Sequence, residues 1–156
     1  MDALSPAIHP AAPDAPELGD LFQRHLTLMR ASSPACSVHA MEPGDLAAAG
    51  VRFFVIREGD TTLAMGALKH IGPGHAELKS MHVVEEARGR GLARMLLCHL
   101  VEVAHAEGLA RLSLETGVQP AFAPARALYL SEGFEECEPF EGYAPDPNSV
   151  FMTRLL

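Results

Sequence analysis

The 156-residue sequence predicts an α/β (α+β) fold in which a mixed, mostly antiparallel central sheet is flanked by helices. Three observations carry that reading. β-prone runs at 52–57, 61–71 and 76–84 follow one another through turn signals, so the first half is a run of strands. Two segments of helical periodicity then alternate with further strands. Finally, 48% of the residues are hydrophobic, enough for one well-buried core but not for two independent ones. Residues 1–156 therefore read as one domain.

Pro6, Pro10, Pro13 and Pro16 interrupt residues 1–16, which favours an extended N-terminal arm with a short edge strand near Ile8. Leu18, Leu21, Phe22, Leu26 and Met29 recur at helical spacing and predict a first amphipathic helix over 17–29. Ser32-Ser33-Pro34-Ala35-Cys36-Ser37 cannot continue it, and 45–49 suffices only for a short second helix. Glu58-Gly59-Asp60 reads as a hairpin turn, and Gly72-Pro73-Gly74 as the turn into the third strand, which ends at Glu85-Glu86. Leu92, Met95, Leu96, Leu100, Val103 and Ala104 mark one face of a long helix that Gly108 stops in the C′ position. Residues 109–116 read as a strand, and 124–132 as a helix with Pro124 in its first turn and Gly133 as its stop. Residues 134–140 and 149–155 supply two closing strands.

A formal charge of -8 disfavours a general nucleic-acid binder, which needs a basic face. Cys36, Cys98 and Cys137 match neither a disulfide framework nor paired zinc spacing, so reduced thiols in a cytosol fit best. Asp2 and the early prolines do not suit a signal peptide, and no apolar stretch is long enough to span a bilayer. The expectation is a cytoplasmic protein with no membrane partner. No metal site is expected either, because the histidines lack ligand spacing. His99 and His105 read as residues on the helix surface or at its edge, and Cys98 as a small apolar group packed within that helix. Cys36 and Cys137 have no recognisable activating context.

Gly89 and Gly91 stand between a strand and a helix, where bare backbone N–H groups can approach an anion at the helix N-terminus. Arg88, Arg90 and Arg94 add the local positive charge that the composition lacks. A pyrophosphate is the natural occupant. Rival motifs fit less well: no P-loop run exists, and the third glycine of a dinucleotide fingerprint would fall at Arg94. Alone, such a turn equally describes a plain surface loop with solvated arginines.

Glu77-Leu78-Lys79-Ser80-Met81-His82-Val83 followed by Arg88-Gly89-Arg90-Gly91-Leu92-Ala93 resembles the signature of the GNAT superfamily of N-acetyltransferases, whose Gln/Arg-x-x-Gly-x-Gly/Ala pattern is met by Arg88, Gly91 and Ala93. Ala125-x-x-Leu128-Tyr129-x-x-x-Gly133-Phe134 resembles the helix and strand that complete the family's acetyl-CoA site. Leu114-Glu115-Thr116-Gly117 and the run from Asp146 to Met152 are similar to a bacterial subgroup of small GNAT enzymes. One departure stands out. Many members carry an Asn seven positions before the tyrosine, where this chain has Phe122.

The resemblance implies that acetyl-CoA binds through Arg88, Gly89, Arg90, Gly91, Leu92, Ala93 and Arg94, with Met81, His82 and Val83 alongside the pantetheine arm. It also implies that Tyr129 protonates the departing thiolate, and that the chain can form a homodimer. A primary amine, with a pKa of about 10.4, must lose a proton before attack, so a base is needed. Glu77, His82 and Glu115 are the candidates. Strand alternation sets Glu77 and His82 on opposite faces. Glu77 equally reads as a salt-bridged edge carboxylate, His82 as a packed and hydrogen-bonded ring, and Glu115 as a group that orients a cation. The acceptor, a small-molecule or peptide amine, should meet the first helix, the loop over 33–39 and the loop over 143–149, where Glu138, Glu141 and Asp146 add negative charge. Two other readings stand beside the enzyme: a non-catalytic acyl-CoA-binding regulatory module, and RNA binding by the Arg/Gly turn, which the acidic charge disfavours.

Overall fold

The computed structural model describes residues 5–32, 43–47 and 50–156. Residues 33–37 of the predicted loop, Cys36, the proposed substrate segment 33–39 and residues 48–49 lie outside the described residues. Strand β1 (Ala7–Pro10) is the predicted edge strand near Ile8. A 3-10 turn at Pro16–Leu18 leads into α1 (Gly19–Ser32), and α2 (Pro43–Leu46) is short, as expected. Three strands follow, β2 (Val51–Glu58), β3 (Thr61–Gly72) and β4 (His75–Val83). Then come α3 (Leu92–Ala106), β5 (Arg111–Gly117), α4 (Ala123–Ser131), β6 (Glu135–Glu136) and β7 (Ser149–Leu155). Strand β6 is two residues long where 134–140 was expected, because Cys137 N–H bonds Phe151 and the chain then leaves the sheet.

The seven strands form one sheet in the order β1-β2-β3-β4-β5-β7-β6. All neighbours are antiparallel except β4 and β5, whose parallel pairing requires the crossover that α3 provides. Helices cover both faces. Phe53 stacks on Phe22 of α1 at 5.8 Å, whereas its neighbour Phe54, which points the opposite way, meets His99 of α3 edge-on at 4.8 Å. The core therefore lies in two layers, one under each helix. No described helix is long and apolar enough to cross a membrane.

Helix α3 buries Leu92, Leu96, Leu97, Leu100, Val101 and Ala104. Met95, expected on that face, is 36% exposed, and Cys98, expected to pack inward, is exposed. His99 lies at the edge of the helix face, its ring half-buried against Phe54. The buried stripe is rotated from the one that was marked, with Leu97 and Val101 inward in place of Met95 and Val103. Gly108 adopts a positive φ of 76° after the helix, as its stop role requires.

Two irregularities in β4 open the sheet. Pairing with β5 runs from His75↔Arg111 to Leu78↔Leu114 and ends there, although both strands continue. On the other edge the register with β3 slips between Met65↔His82 and Ala67↔Lys79, leaving an extra residue in β4. Ser80 takes the positive φ of 57° at this bulge, and its hydroxyl is buried without a hydrogen-bond partner among the described residues. The extra residue resets the alternation. Lys79 and His82, opposite Ala67 and Met65, share the face of α1, and Glu77, two residues before Lys79, lies there too. The expected separation of Glu77 and His82 onto opposite faces is thus overturned.

Candidate active site

The chain passes from β4 through a 3-10 turn at Glu85–Ala87 into the Arg/Gly segment. Gly89 and Gly91 have φ of 82° and 78°, and a Cβ at either position would meet nothing within 4 Å. Torsion rather than crowding selects glycine there. Gly91 is the N-cap of α3, makes no side-chain capping bond, and no acidic residue occupies the first turn. The first N–H groups of a 15-residue helix are therefore open to an anion, aligned with its dipole.

The three arginines behave differently. Arg88 donates from Nε to the Val83 carbonyl at 3.4 Å and lines the adjoining cavity. Arg94 lines it as well while pairing with Glu132 and donating to Ser131 Oγ at 3.1 Å. Arg90 does not line it. Its guanidinium forms an ion pair with Glu58 of β2, which raises its pKa.

A cavity of about 570 Å³ runs from this turn past Met81, His82 and Val83 to Tyr129 of α4, with Gly89, Gly91, Leu92 and Ala93 in its wall. A second, of about 110 Å³, opens where β4 and β5 separate and is lined by Glu77, Lys79, Ser80 and Glu115. The two share His25, Met29, Met81, Phe122, Ala125 and Tyr129. Of the expected catalytic residues, Tyr129 faces both cavities, His82 the larger, and Glu77 and Glu115 the smaller. Phe122 lines both cavities and puts an aromatic wall where they adjoin.

Glu77 is only 2% exposed and is held by two donors: Tyr143 O–H at 2.7 Å and Lys79 Nζ at 3.3 Å. Lys79 Nζ also donates to Tyr143 Oη at 2.9 Å, and lies 5.6 Å from the ring centre. Burial and then the negative charge of Glu77 raise the Tyr143 phenol far above its ordinary range, so it stays a donor. Glu115 accepts from Ser149 Oγ at 2.8 Å. This is a dense acidic pocket with one cation inside it. Tyr129 is buried, and burial pushes its phenol up to about 12.

His82 Nδ1 lies 3.2 Å from Nδ1 of His25 on α1, the rings meeting edge-on. Both are buried, and both are pushed down to about 4. Burial is the main cause for each. His82 and Lys79 then add to it for His25, and Arg88 and Arg24 for His82. His25 was not singled out from the sequence, although it sits three residues after Phe22 and four after Leu21, on the apolar stripe of α1. A polar residue on that stripe was the available signal. Lys79 was missed for another reason, since nothing in the sequence marks the bulge beside it. Among the described residues no three His, Cys, Asp or Glu side chains group as a metal site.

A sheet that parts beside an anion-receptive helix start, with two cavities sharing a wall between them, is the framework of an acyl-transfer enzyme. The chain belongs to the acetyltransferase (GNAT) family, which residues 18–134 match, as the resemblance implied. It is 44% identical over 136 residues to an uncharacterized N-acetyltransferase, YsnE, of Bacillus subtilis, covering 87% of this chain and 90% of that one. It is also 39% identical over 140 residues to an IAA acetyltransferase of Azospirillum brasilense, covering 89% and 83% respectively. Among solved structures, a protein of Klebsiella pneumoniae named as an acyl-CoA N-acyltransferase superposes with a TM-score of 0.79 at 27% identity, over 98% of this chain and 99% of that one. An acetyltransferase of Bacillus subtilis solved in complex with CoA shares the fold at 18% identity, with a TM-score of 0.69 over 97% and 99%.

Proposed function

We propose that this acetyltransferase takes acetyl from acetyl-CoA and passes it to a primary amine by direct attack in a ternary complex. The observation that carries the proposal is that the two cavities share a wall, with Tyr129 lining both. One cavity begins at the open N-terminus of α3, suited to a pyrophosphate, and the other is acidic and suited to an ammonium. That a B. subtilis acetyltransferase of the same fold was solved in complex with CoA supports CoA as the acyl carrier.

Pyrophosphate would accept from the α3 N–H groups, with Arg88 and Arg94 beside it. The pantetheine arm would follow β4 where β5 has left, since Met81 and Val83 keep backbone groups on that edge. The thioester then falls at the shared wall. There a backbone N–H of β4 can stabilise the oxyanion of the tetrahedral intermediate. Tyr129, protonated at any working pH, donates to the departing sulfur. The apolar surroundings that raise the phenol raise a thiolate as well, which keeps the transfer matched.

Calorimetric titration of acetyl-CoA into the wild type and an Arg88→Ala/Arg90→Ala variant tests the cofactor half. A free-thiol assay across a panel of amines tests the acceptor half. Binding that weakens in the variant, with thiol release for one amine class, supports the enzyme. Tyr129→Phe should lower kcat by about 10- to 100-fold with the acetyl-CoA Kd little changed. Binding with no turnover for a broad panel would point to the regulatory module instead, and no binding would end the proposal.

A further inference from the structure

We infer that His25 and His82 form a two-imidazole relay that carries a proton from the acceptor ammonium, in the smaller cavity, to the larger one. The inference rests on the acetyl-transfer reading above. Its observations are the Nδ1–Nδ1 contact of 3.2 Å, the burial of both rings at 6% and 7% exposure, and their placement. His25 lines both cavities and His82 only the larger. No other described pair joins the two compartments through titratable rings.

A hydrogen bond between two Nδ1 atoms constrains both tautomers. One Nδ1 must carry hydrogen and the other must not, so each neutral ring takes the opposite tautomer from its partner. For transport out of the smaller cavity, His25 holds hydrogen on Nδ1 and leaves Nε2 bare, while His82 holds hydrogen on Nε2. The ammonium N–H bond breaks and its electron pair stays on the amine nitrogen, which can now attack. A bond forms from that proton to His25 Nε2. The His25 Nδ1–H bond breaks as the His82 Nδ1–H bond forms, and His82 loses its Nε2 proton to solvent in the larger cavity. Charge is conserved at each step, since one proton enters as one leaves. Once product has left, the pair resets: His82 Nε2 takes a proton from solvent, the Nδ1 proton returns from His82 to His25, and His25 Nε2 loses its proton to solvent.

The surroundings favour passage over storage. Burial, with Lys79 near His25 and with Arg88 and Arg24 near His82, disfavours a resident imidazolium. Both rings are thus neutral at pH 7 with a lone pair available; each is a weak base toward an ammonium, so the proton crosses the pair without resting on it. Glu77 is poorly suited to the same task because its carboxylate is already committed to Tyr143 and Lys79. His25 is the ring that meets the acceptor, and His82 acts through it.

Two measurements decide the matter. Long-range proton–nitrogen NMR on the nitrogen-labelled full chain at pH 7 should show an Nδ1-protonated His25 and an Nε2-protonated His82. Two rings of the same tautomer, or the opposite assignment, would overturn the relay without any substrate being needed. The second is kinetic, with the amine that turns over in the panel. His25→Gln keeps an N–H donor for His82 but has no second nitrogen to receive a proton. It should lower kcat at least about tenfold while acetyl-CoA Kd and KM stay within about twofold. His25→Ala should regain activity with added imidazole in proportion to its neutral form. Unchanged kcat in His25→Gln, or no response to imidazole, would sink the idea. If no amine turns over with the wild type, the acetyl-transfer reading has failed, and the NMR result still stands for or against the hydrogen-bonded pair.

Discussion

The two cavities that meet at Tyr129 are built in opposite ways. The larger draws most of its wall from one stretch of chain, Met81 to Leu96, and its anion-receptive end is made of backbone N–H groups at a helix start. The smaller is assembled from side chains on α1, β4, β5 and α4, and its Glu77 accepts from Tyr143 of the loop before β7. Backbone recognition needs a local conformation, and side-chain recognition needs distant elements to arrive together. The first tolerates exchange of neighbouring side chains so long as the turn survives. The second depends on each partner being present, because a lone buried charge is costly.

Substitutions can break that contrast or sharpen it. The largest effect should come from Glu77→Ala, which leaves Lys79, 9% exposed, without its carboxylate; a loss of about 3–5 kcal/mol is expected in denaturant unfolding. Adding Lys79→Met should recover much of it. A single-site loss near zero would mean the acidic pocket is not the tightly coupled unit described. Next comes pH. His25 and His82 titrate near 4 in the folded chain and near 6.5 unfolded, so between those values the unfolded state binds more protons. Their contribution is complete above about pH 6.5 and is lost as pH falls toward 4. Denaturation midpoints measured across that window should fall steadily in the wild type and less steeply in His25→Phe.

Gly91→Val probes the larger cavity where it is backbone-made. A β-branched residue at φ 78° should cost about 1–3 kcal/mol and reduce acetyl-CoA affinity at least tenfold in calorimetry. If affinity survives, side chains rather than the turn hold the phosphates. The smallest effect belongs to Arg90→Ala. With its guanidinium at Glu58 and outside the cavity wall, acetyl-CoA Kd should change less than about threefold, and less than in Arg88→Ala. The reverse ranking would show that Arg90 leaves Glu58 when phosphate arrives.

The same contrast separates what could be read from the chain and what could not. The strands, the two long helices, the glycine turn and the stop glycines were legible because each is set by local periodicity or torsion. Gly89, Gly91, Gly108 and Gly133 all take the positive φ that their positions demanded. Tyr129 was marked only by the resemblance of the run from Ala125 to Phe134 to the family's motif, and it lines both cavities. Strand β6 was overextended because residues beyond Glu136 have β-prone neighbours but no partner strand. Met95 and Cys98 were assigned inward because a stripe read from a helix alone lacks the sheet that fixes its centre.

By itself the sequence determined the order of elements, the mixed sheet and the anion-receptive turn, since hydrophobic period and glycine torsion act over a few residues at a time. Only the tertiary structure decided that Glu77, Lys79 and His82 share one face, because the bulge at Ser80 depends on how β4 pairs with β3 across an interstrand register. Only it brought His25 against His82, 57 residues apart, into a buried pair. A contact of that kind carries no local signature, because its stability comes from the packing of α1 on the sheet rather than from either segment alone.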